Sequence, residues 1–283
     1  MRETIFKYLT LVLLFILPLN LSAQIMEEVR VWQNILSEDD ADDNNDAVMY
    51  IYYPEVGVNN GSAVIICPGG SYKSLALNHE GHDIAKWLAS EGTTAAVLKY
   101  RLPKGNYKIP ISDVREATRY LRRHSDSLSI KSDKIGVMGF SAGGHLASTH
   151  ITQLDDSLSR PNFGVLFYPV ITSDERYSHK GSFQNLLGDN PSQELRKSFS
   201  GELNVSAETP PTLLFHSDDD RVLPINSALF YEALKRNSVP SSMYIFPDGG
   251  HGWGFRDSFA YHEVWKSLLI DWLNKLGNKT TNE

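Results

Sequence analysis

Residues 139–143, Gly-Phe-Ser-Ala-Gly, are the most informative segment of this chain, because they place Ser141 between two glycines where an apolar strand gives way to a helix. Residues 134–138 have the composition of the strand, and residues 145–150 continue as the helix. A serine at such a junction lies on a sharp, strained turn, with its hydroxyl group above the sheet and the helix N-terminus behind it. The segment therefore predicts that Ser141 is a nucleophile.

The pattern around Ser141 also fits a tight turn that needs small residues only for packing, so its interpretation depends on other segments. The first is 64–72, an apolar strand that ends in the loop Pro-Gly-Gly-Ser-Tyr. Acyl transfer requires backbone N–H donors directed at an oxyanion, and a glycine-rich loop can supply them. Taken alone, the loop is also an ordinary turn signal.

Two later strands each end in a segment suited to acid–base chemistry. Three consecutive aspartates, 218–220, follow the strand at 212–216, and a carboxylate there can hold a histidine in one tautomer. The residue types do not choose among the three, and an acidic turn that caps the next helix is the alternative. His251 follows the strand at 242–246 and lies among four glycines, which let the backbone bring an imidazole into a cleft.

With these segments the chain resembles secreted α/β-hydrolase fold proteins of the esterase/lipase type, and most closely the acetyl xylan esterase or BD-FAE-like carbohydrate esterases. The resemblance runs through nearly all of the chain after residue 23. It rests on six segments, which are 68–72, 79–81, 100–103, 139–147, 216–224 and 249–254. It implies the chain order serine, acid, histidine that is typical of α/β hydrolases.

The resemblance implies that Ser141, Asp220 and His251 are the catalytic residues. Relatives place the acid four residues after a strand-end histidine and four residues before a proline. In this chain the histidine is His216 and the proline is Pro224, so the pattern selects Asp220 and leaves the other two aspartates as loop residues.

The resemblance also implies an oxyanion hole formed by the N–H groups of Ala142 and Gly70, with Ser71 as a neighbour. Two residues depart from the usual pattern. Ser71 stands where many relatives have a third glycine, and Ser217 stands where the glycine after the strand-end histidine is usual. Neither change removes a catalytic side chain.

The alternation of strands and helices predicts an α/β protein with a mostly parallel central sheet of about eight strands and helices on both faces, which is the α/β-hydrolase fold. Besides the strand that begins at residue 64, strands are predicted at 28–36, 48–53, 93–100, 134–138, 163–169, 212–216 and 242–246. Besides the helix after Ser141, helices are predicted at 80–90, 111–124, 224–235 and 258–276.

The domain organisation is predicted from the N-terminal segment and from one interruption of the fold. Residues 1–23 have the two cations, the apolar run and the Leu-Ser-Ala end of a secretory signal peptide, so we expect a secreted or periplasmic protein. An uncleaved membrane anchor is the alternative. Residues 24–283 are predicted to form a single domain. Its insertion at 172–210 is either a lid or pocket wall, or a surface excursion without ligand contact.

Composition limits the partners. The formal net charge of −7 disfavours nucleic acid and anionic membranes, and it suits a small-molecule or oligosaccharide ester as substrate. The single cysteine, Cys67, lies on an apolar strand and is predicted to be a core residue. The nine histidines include no pair with the helical spacing of a zinc site, so no metal and no cofactor is predicted.

The predicted reaction is hydrolysis of a short-chain acyl ester, with an acetyl group on carbohydrate as the substrate that the resemblance implies. Tyr72 and Trp253 are candidate substrate-binding residues, which either stack on a sugar ring or shape the pocket. A feruloyl esterase and a prolyl-oligopeptidase-like serine peptidase are the enzymatic alternatives. A catalytically silent binding protein on the same fold is the alternative that is not an enzyme.

Overall fold

The computed structural model describes residues 26–32, 46–154 and 156–279. The predicted signal peptide at 1–23 lies outside these residues, as does the end of the strand predicted at 28–36. Within the described ranges, no helix combines the length and the apolar character needed to cross a membrane.

The described residues form an eight-stranded sheet with the order β1-β2-β4-β3-β5-β6-β7-β8. The antiparallel pairs are β1 with β2 and β2 with β4, and the remaining neighbours are parallel. The predicted α/β-hydrolase architecture, a mostly parallel sheet of about eight strands, is confirmed. The strands are β1 Met26–Arg30, β2 Val48–Tyr52, β3 Ala63–Cys67, β4 Thr94–Lys99, β5 Ile135–Phe140, β6 Phe163–Phe167, β7 Thr212–Ser217 and β8 Ser241–Phe246.

Helices cover both faces of the sheet. Apolar side chains of α1 and α7 pack on one face, and those of α2, α3 and α6 pack on the other. Successive residues of β3 point to opposite faces, so Ile65 and Ile66 belong to different clusters of the core. The helices are α1 Asp83–Ser90, α2 Lys108–Arg123, α3 Ala142–Thr152, α4 Lys180–Leu187, α5 Gln193–Ser198, α6 Ile225–Arg236 and α7 His262–Lys279.

Among the boundaries that differ from the predicted ones, three have a local reason. Helix α1 starts at Asp83 and not at residue 80, because Asn78–His82 form one turn of π-helix. Strand β6 ends at Phe167, because the backbone at Tyr168 has a φ of 36° and leaves the extended conformation. The final helix starts at His262, after turns that occupy the predicted first residues.

The sheet register brings the predicted site segments together at one edge. Cys67 at the end of β3 pairs with Gly139 of β5, so the glycine-rich loop emerges beside the turn at Ser141. Ser217 at the end of β7 pairs with Phe246 of β8, which sets the aspartate loop beside the histidine loop. Ligands of open α/β sheets bind at this carboxyl edge.

Candidate active site

Ser141 occupies a strained turn between β5 and α3. Its φ is 52° and its ψ is −118°, a conformation that costs energy for any residue with a side chain. Three backbone hydrogen bonds hold the turn: the Ser141 N–H donates to the carbonyl oxygen of Phe167 over 3.0 Å, and the N–H groups of Val170 and of His145 in α3 donate to that of Ser141 over 3.1 and 3.0 Å. The strain is therefore borne by the sheet and helix on either side.

The two glycines that flank Ser141 are required by close backbone contacts. A Cβ atom on Gly143 would lie 2.0 Å from the carbonyl oxygen of Cys67, and one on Gly139 would lie 2.2 Å from that of Gly143. Neither distance is compatible with a side chain. The Gly-x-Ser-x-Gly pattern thus records how closely α3 approaches β3 and β5.

Ser141, His251 and Asp220 form a continuous hydrogen-bonded chain. His251 Nε2 lies 2.8 Å from Ser141 Oγ, and His251 Nδ1 lies 2.8 Å from Asp220 Oδ2 and 2.9 Å from Oδ1. The Asp220 side chain is fully buried, and that of His251 is 10% exposed. Since a carboxylate accepts from Nδ1–H, Nε2 of the neutral imidazole is left to accept the serine proton.

The Asp220 carboxyl has a pKa below its ordinary value. Burial by itself raises this pKa, but hydrogen bonds from His216 and His251 and the charges of these histidines lower it more. The group is therefore a carboxylate at neutral pH and can stabilise a protonated His251.

The three consecutive aspartates have different partners. Asp220 accepts from His251 and also from the Val222 N–H over 2.7 Å. Asp219 is exposed, and its Oδ1 accepts from the Gly250 N–H over 2.8 Å. Asp218 is exposed. Of the three aspartates, Asp220 is thus the one whose side chain contacts the imidazole of His251.

His216 contacts the Asp220 carboxylate, a role that the sequence did not indicate. Its Nε2 donates to the carbonyl oxygen of Val222 over 2.7 Å, and its Nδ1 lies 2.8 Å from Ser227 Oγ. Because the carbonyl can only accept, the proton of neutral His216 is on Nε2, and Ser227 donates to Nδ1. That Nε2 lies 3.4 Å from Asp220 Oδ2.

The glycine-rich loop lies against Ser141, as its position after β3 predicts. A Cβ atom on Gly69 would lie 2.9 Å from the Cβ of Ser141. Gly70 has a φ of 130°, and a Cβ there would lie 2.1 Å from the carbonyl oxygen of Ser74, so this position requires glycine. Ala142 is the first residue of α3, and its N–H therefore has no acceptor within the helix.

Tyr72 and Trp253 do not present their rings for stacking on a sugar, which favours the alternative that they shape the pocket. They are 2% and 4% exposed. The Tyr72 hydroxyl lies 2.9 Å from His145 Nδ1, and Trp253 Nε1 donates to Ser217 Oγ over 3.0 Å. Positive φ values at both Ser71 and Tyr72 turn the tyrosine inward. Both rings thus belong to the wall beneath the site.

Glu80 and Tyr168 were missed by the sequence reasoning. Both side chains are buried, and the Tyr168 hydroxyl donates to Glu80 Oε1 over 2.8 Å. The Tyr168 ring meets the imidazole of His251 edge-on, with 5.0 Å between centroids. The available signal was the position of Glu80 a few residues after the glycine-rich loop, but the helical period of 80–90 concealed it.

The insertion at 172–210 contains α4 and α5 and contacts the site. Asn185 of α4 donates from Nδ2 to the carbonyl oxygen of Ser71 over 2.8 Å. His179, which caps α4, has its pKa lowered by burial and next by the charges of His251 and Arg221. These contacts favour the pocket-wall interpretation over a surface excursion.

Two cavities are lined by residues of the insertion or of the His251 loop. One of about 360 Å³ adjoins His251 and is also lined by Asp248, Trp253 and Arg256. A larger one of about 820 Å³ lies between the insertion and α6, and none of Ser141, Asp220 and His251 lines it. Among the described residues, no group of three or more His, Cys, Asp or Glu side chains could hold a metal ion. The smaller cavity is thus the one beside the reactive groups.

An eight-stranded sheet with a strained serine after β5 and a histidine beside it defines an α/β hydrolase. Residues 49–234 match the BD-FAE family model. The chain belongs to the BD-FAE family.

Two proteins of similar sequence have names that refer to xylan. An acetylxylan esterase of Xylanibacter ruminicola is 38% identical over 239 residues, which are 83% of this chain and 49% of the relative. Endo-1,4-beta-xylanase B of Butyrivibrio fibrisolvens is 35% identical over 204 residues, which are 67% of this chain and 32% of the relative. The chain spans about half of the first relative's length and a third of the second's.

A solved structure of similar length has the same fold. The acetyl ester-xyloside bifunctional hydrolase of Caldicellulosiruptor lactoaceticus superposes with a TM-score of 0.81 at 37% identity, over 89% of this chain and 96% of that protein.

Proposed function

We propose that this chain is a carboxylic ester hydrolase that removes short-chain acyl groups, chiefly acetyl, from carbohydrate such as xylan-derived saccharides. The observation that carries the proposal is the 2.8 Å contact of His251 Nε2 with Ser141 Oγ, in a BD-FAE chain whose relatives include an acetylxylan esterase. A serine bonded to an imidazole is activated for nucleophilic attack.

The first half of the reaction forms an acyl-enzyme. Ser141 Oγ attacks the ester carbonyl while its proton moves to His251 Nε2, and Asp220 stabilises the resulting imidazolium. The N–H groups of Ala142 and Gly70 bind the oxyanion, with Ser71 beside them. Collapse of the intermediate breaks the bond to the sugar oxygen, which takes the proton from His251.

The second half releases the acid. Water gives a proton to His251 Nε2 and attacks the acyl carbon, and the new oxyanion uses the same N–H donors. Collapse returns the proton to Ser141 Oγ and frees acetic acid, which ionises to acetate at neutral pH. No step in this sequence calls for a metal or a cofactor.

Hydrolysis of p-nitrophenyl acetate, butyrate and octanoate by the purified chain, beside Ser141→Ala, tests the chemistry. Acetate release from acetylated xylan tests the substrate. We expect activity that falls with acyl length and is lost by a factor of about 10³ or more in the variant. Wild-type activity in Ser141→Ala would refute the proposed function.

The alternatives give different outcomes in the same series. A peptidase would cleave a proline p-nitroanilide as well as the matched ester, whereas an esterase would cleave only the ester, and a feruloyl esterase would prefer methyl ferulate to the acetates. A silent binding protein would neither hydrolyse esters nor react with a fluorophosphonate at Ser141.

We also propose that residues 1–23 direct export to the periplasm or the medium and that residues 24–283 form one domain. The charge and apolar pattern of residues 1–23 supports the first statement. N-terminal sequencing of the exported protein should start at Gln24. A start at Met1 in the membrane fraction would favour an uncleaved anchor.

A further inference from the structure

The Glu80 carboxylate is buried between the glycine-rich loop and the loop that carries His251. Its side chain is 4% exposed. Oε2 accepts a hydrogen bond from the Gly69 N–H over 2.9 Å, and Oε1 accepts one from the Tyr168 hydroxyl over 2.8 Å. The Tyr168 oxygen in turn accepts from the Gly254 N–H over 2.9 Å. Hydrogen bonds thus connect the two loops through one carboxylate.

Both loops also lie in direct contact with residues 79 and 80. A Cβ on Gly69 would lie 2.6 Å from Glu80 Oε2, and a Cβ on Gly254 would lie 2.4 Å from the carbonyl oxygen of His79. That carbonyl accepts from the Phe255 N–H over 2.7 Å. Since there is no free space on either side, a displacement of Glu80 displaces both loops.

Burying a carboxylate costs free energy, because its charge loses hydration and hydrogen bonds or cations must compensate for that loss. Glu80 accepts from two donors, the Gly69 N–H and the Tyr168 O–H. In addition, His79 Nε2 lies 4.0 Å from Oε1. An apolar side chain could fill the same space but could not join donors that approach from opposite sides. The residue type therefore fits a connecting role better than a packing role.

We propose that Glu80 is a positioning residue that fixes the oxyanion donor at Gly70 and the imidazole of His251 relative to each other. This inference rests on the proposed function. Gly69 precedes Gly70, so its bond to Oε2 orients the next peptide. Gly254 follows His251 by three residues, and the Tyr168 hydroxyl that holds it is oriented by Oε1. Reacting groups need such fixed geometry, and a misplacement of about 1 Å can cost a hundredfold in rate.

Glu80→Gln tests this role with nearly unchanged shape. Its amide has one acceptor oxygen, so with that oxygen on the Gly69 N–H the –NH2 group faces Tyr168, whose hydroxyl can no longer donate to residue 80. We expect kcat on p-nitrophenyl acetate to fall by about 10- to 100-fold with KM within about twofold of wild type. Amide hydrogen exchange, read by mass spectrometry, should become faster in both 68–72 and 252–256.

Tyr168→Phe separates the two sides of the connection. It keeps the ring but removes the hydroxyl, so exchange should become faster at 252–256 and remain unchanged at 68–72. Glu91→Gln changes an exposed glutamate at the end of α1 and is the matched control, with no effect expected on either readout.

The exchange readout does not require substrate, so the two proposals fail in different ways. If Glu80→Gln keeps kcat within twofold, or if exchange at either loop is unchanged in this variant, the positioning role is refuted. The proposed function still stands in that case if Ser141→Ala is inactive. If Ser141→Ala remains active, the proposed function fails, and the positioning role of Glu80 in that reaction fails with it. If Glu80→Gln does not fold, Tyr168→Phe decides: wild-type kcat and exchange would refute the role.

Discussion

The Asp219 carboxylate accepts a hydrogen bond from the N–H of Gly250, the residue immediately before His251, over 2.8 Å. Its neighbour Asp220 accepts from the imidazole of His251 itself. Two adjacent carboxylates therefore hold the same loop, one by its backbone and one by its reactive side chain. The difference makes them a matched pair for mutation.

Asp220→Asn should reduce kcat by about 10⁴-fold, because an amide in this place favours the wrong tautomer of His251 and cannot stabilise an imidazolium. Asp219→Asn should stay within about threefold of wild type, since its amide oxygen can still accept from Gly250. Steady-state kinetics on p-nitrophenyl acetate measure both. Equal losses in the two variants would contradict the assignment of Asp220.

The sequence predicted the groups whose surroundings are local. Ser141 lies in a pattern of close glycines, and His251 lies among glycines after a strand, so both could be recognised within a few residues. Asp220 could be chosen among three aspartates only through the resemblance, because the choice depends on a partner 31 residues away.

What the sequence could not predict depends on contacts between distant segments. Tyr72 is directed inward to His145, which is 73 residues away, by positive φ values at Ser71 and Tyr72. Serine and tyrosine rarely adopt positive φ, so the residue types did not predict this turn. Glu80 is connected to Tyr168 across 88 residues. Helical periodicity describes the apolar face of a segment, and it gives no information on a buried acid at its start.

The contact of Asn185 with the carbonyl oxygen of Ser71 predicts that the insertion supports the glycine-rich loop. Asn185→Ala should lower kcat/KM by about tenfold, because the loop loses a polar anchor worth about 1 kcal/mol and its N–H donors become less well placed. Gln184→Ala, the adjacent residue on the exposed face of α4, is the control and should remain near wild type. A tenfold loss in both variants would indicate general damage to α4.

The approach of α3 to β3 predicts a difference between two glycines. Gly143→Ala would place a methyl group 2.0 Å from the carbonyl oxygen of Cys67, so we expect a loss of about 3 kcal/mol or more in the free energy of unfolding. Gly181→Ala in α4 would meet its nearest neighbour, His179 Cε1, at 3.7 Å, and it should be neutral or slightly stabilising. Urea denaturation of the two variants beside wild type measures both, and similar midpoints for the two would refute the steric argument.

The buried His145 predicts acid sensitivity of the fold. Burial lowers its pKa from 6.5 to about 4, and its hydrogen bond to the carbonyl oxygen of Phe199 only partly opposes this. Between these values the unfolded chain binds a proton that the folded protein does not, so stability is complete above about pH 6.5 and falls as the pH drops towards 4. At about 1.4 kcal/mol per pH unit, the loss from this residue between pH 7 and pH 5 is about 2 kcal/mol.

The variant His145→Gln tests this loss. It keeps a donor and an acceptor but does not titrate, so between pH 7 and pH 5 its free energy of unfolding, measured in urea, should fall by about 2 kcal/mol less than that of wild type. Parallel losses in the two proteins would show that His145 is not responsible.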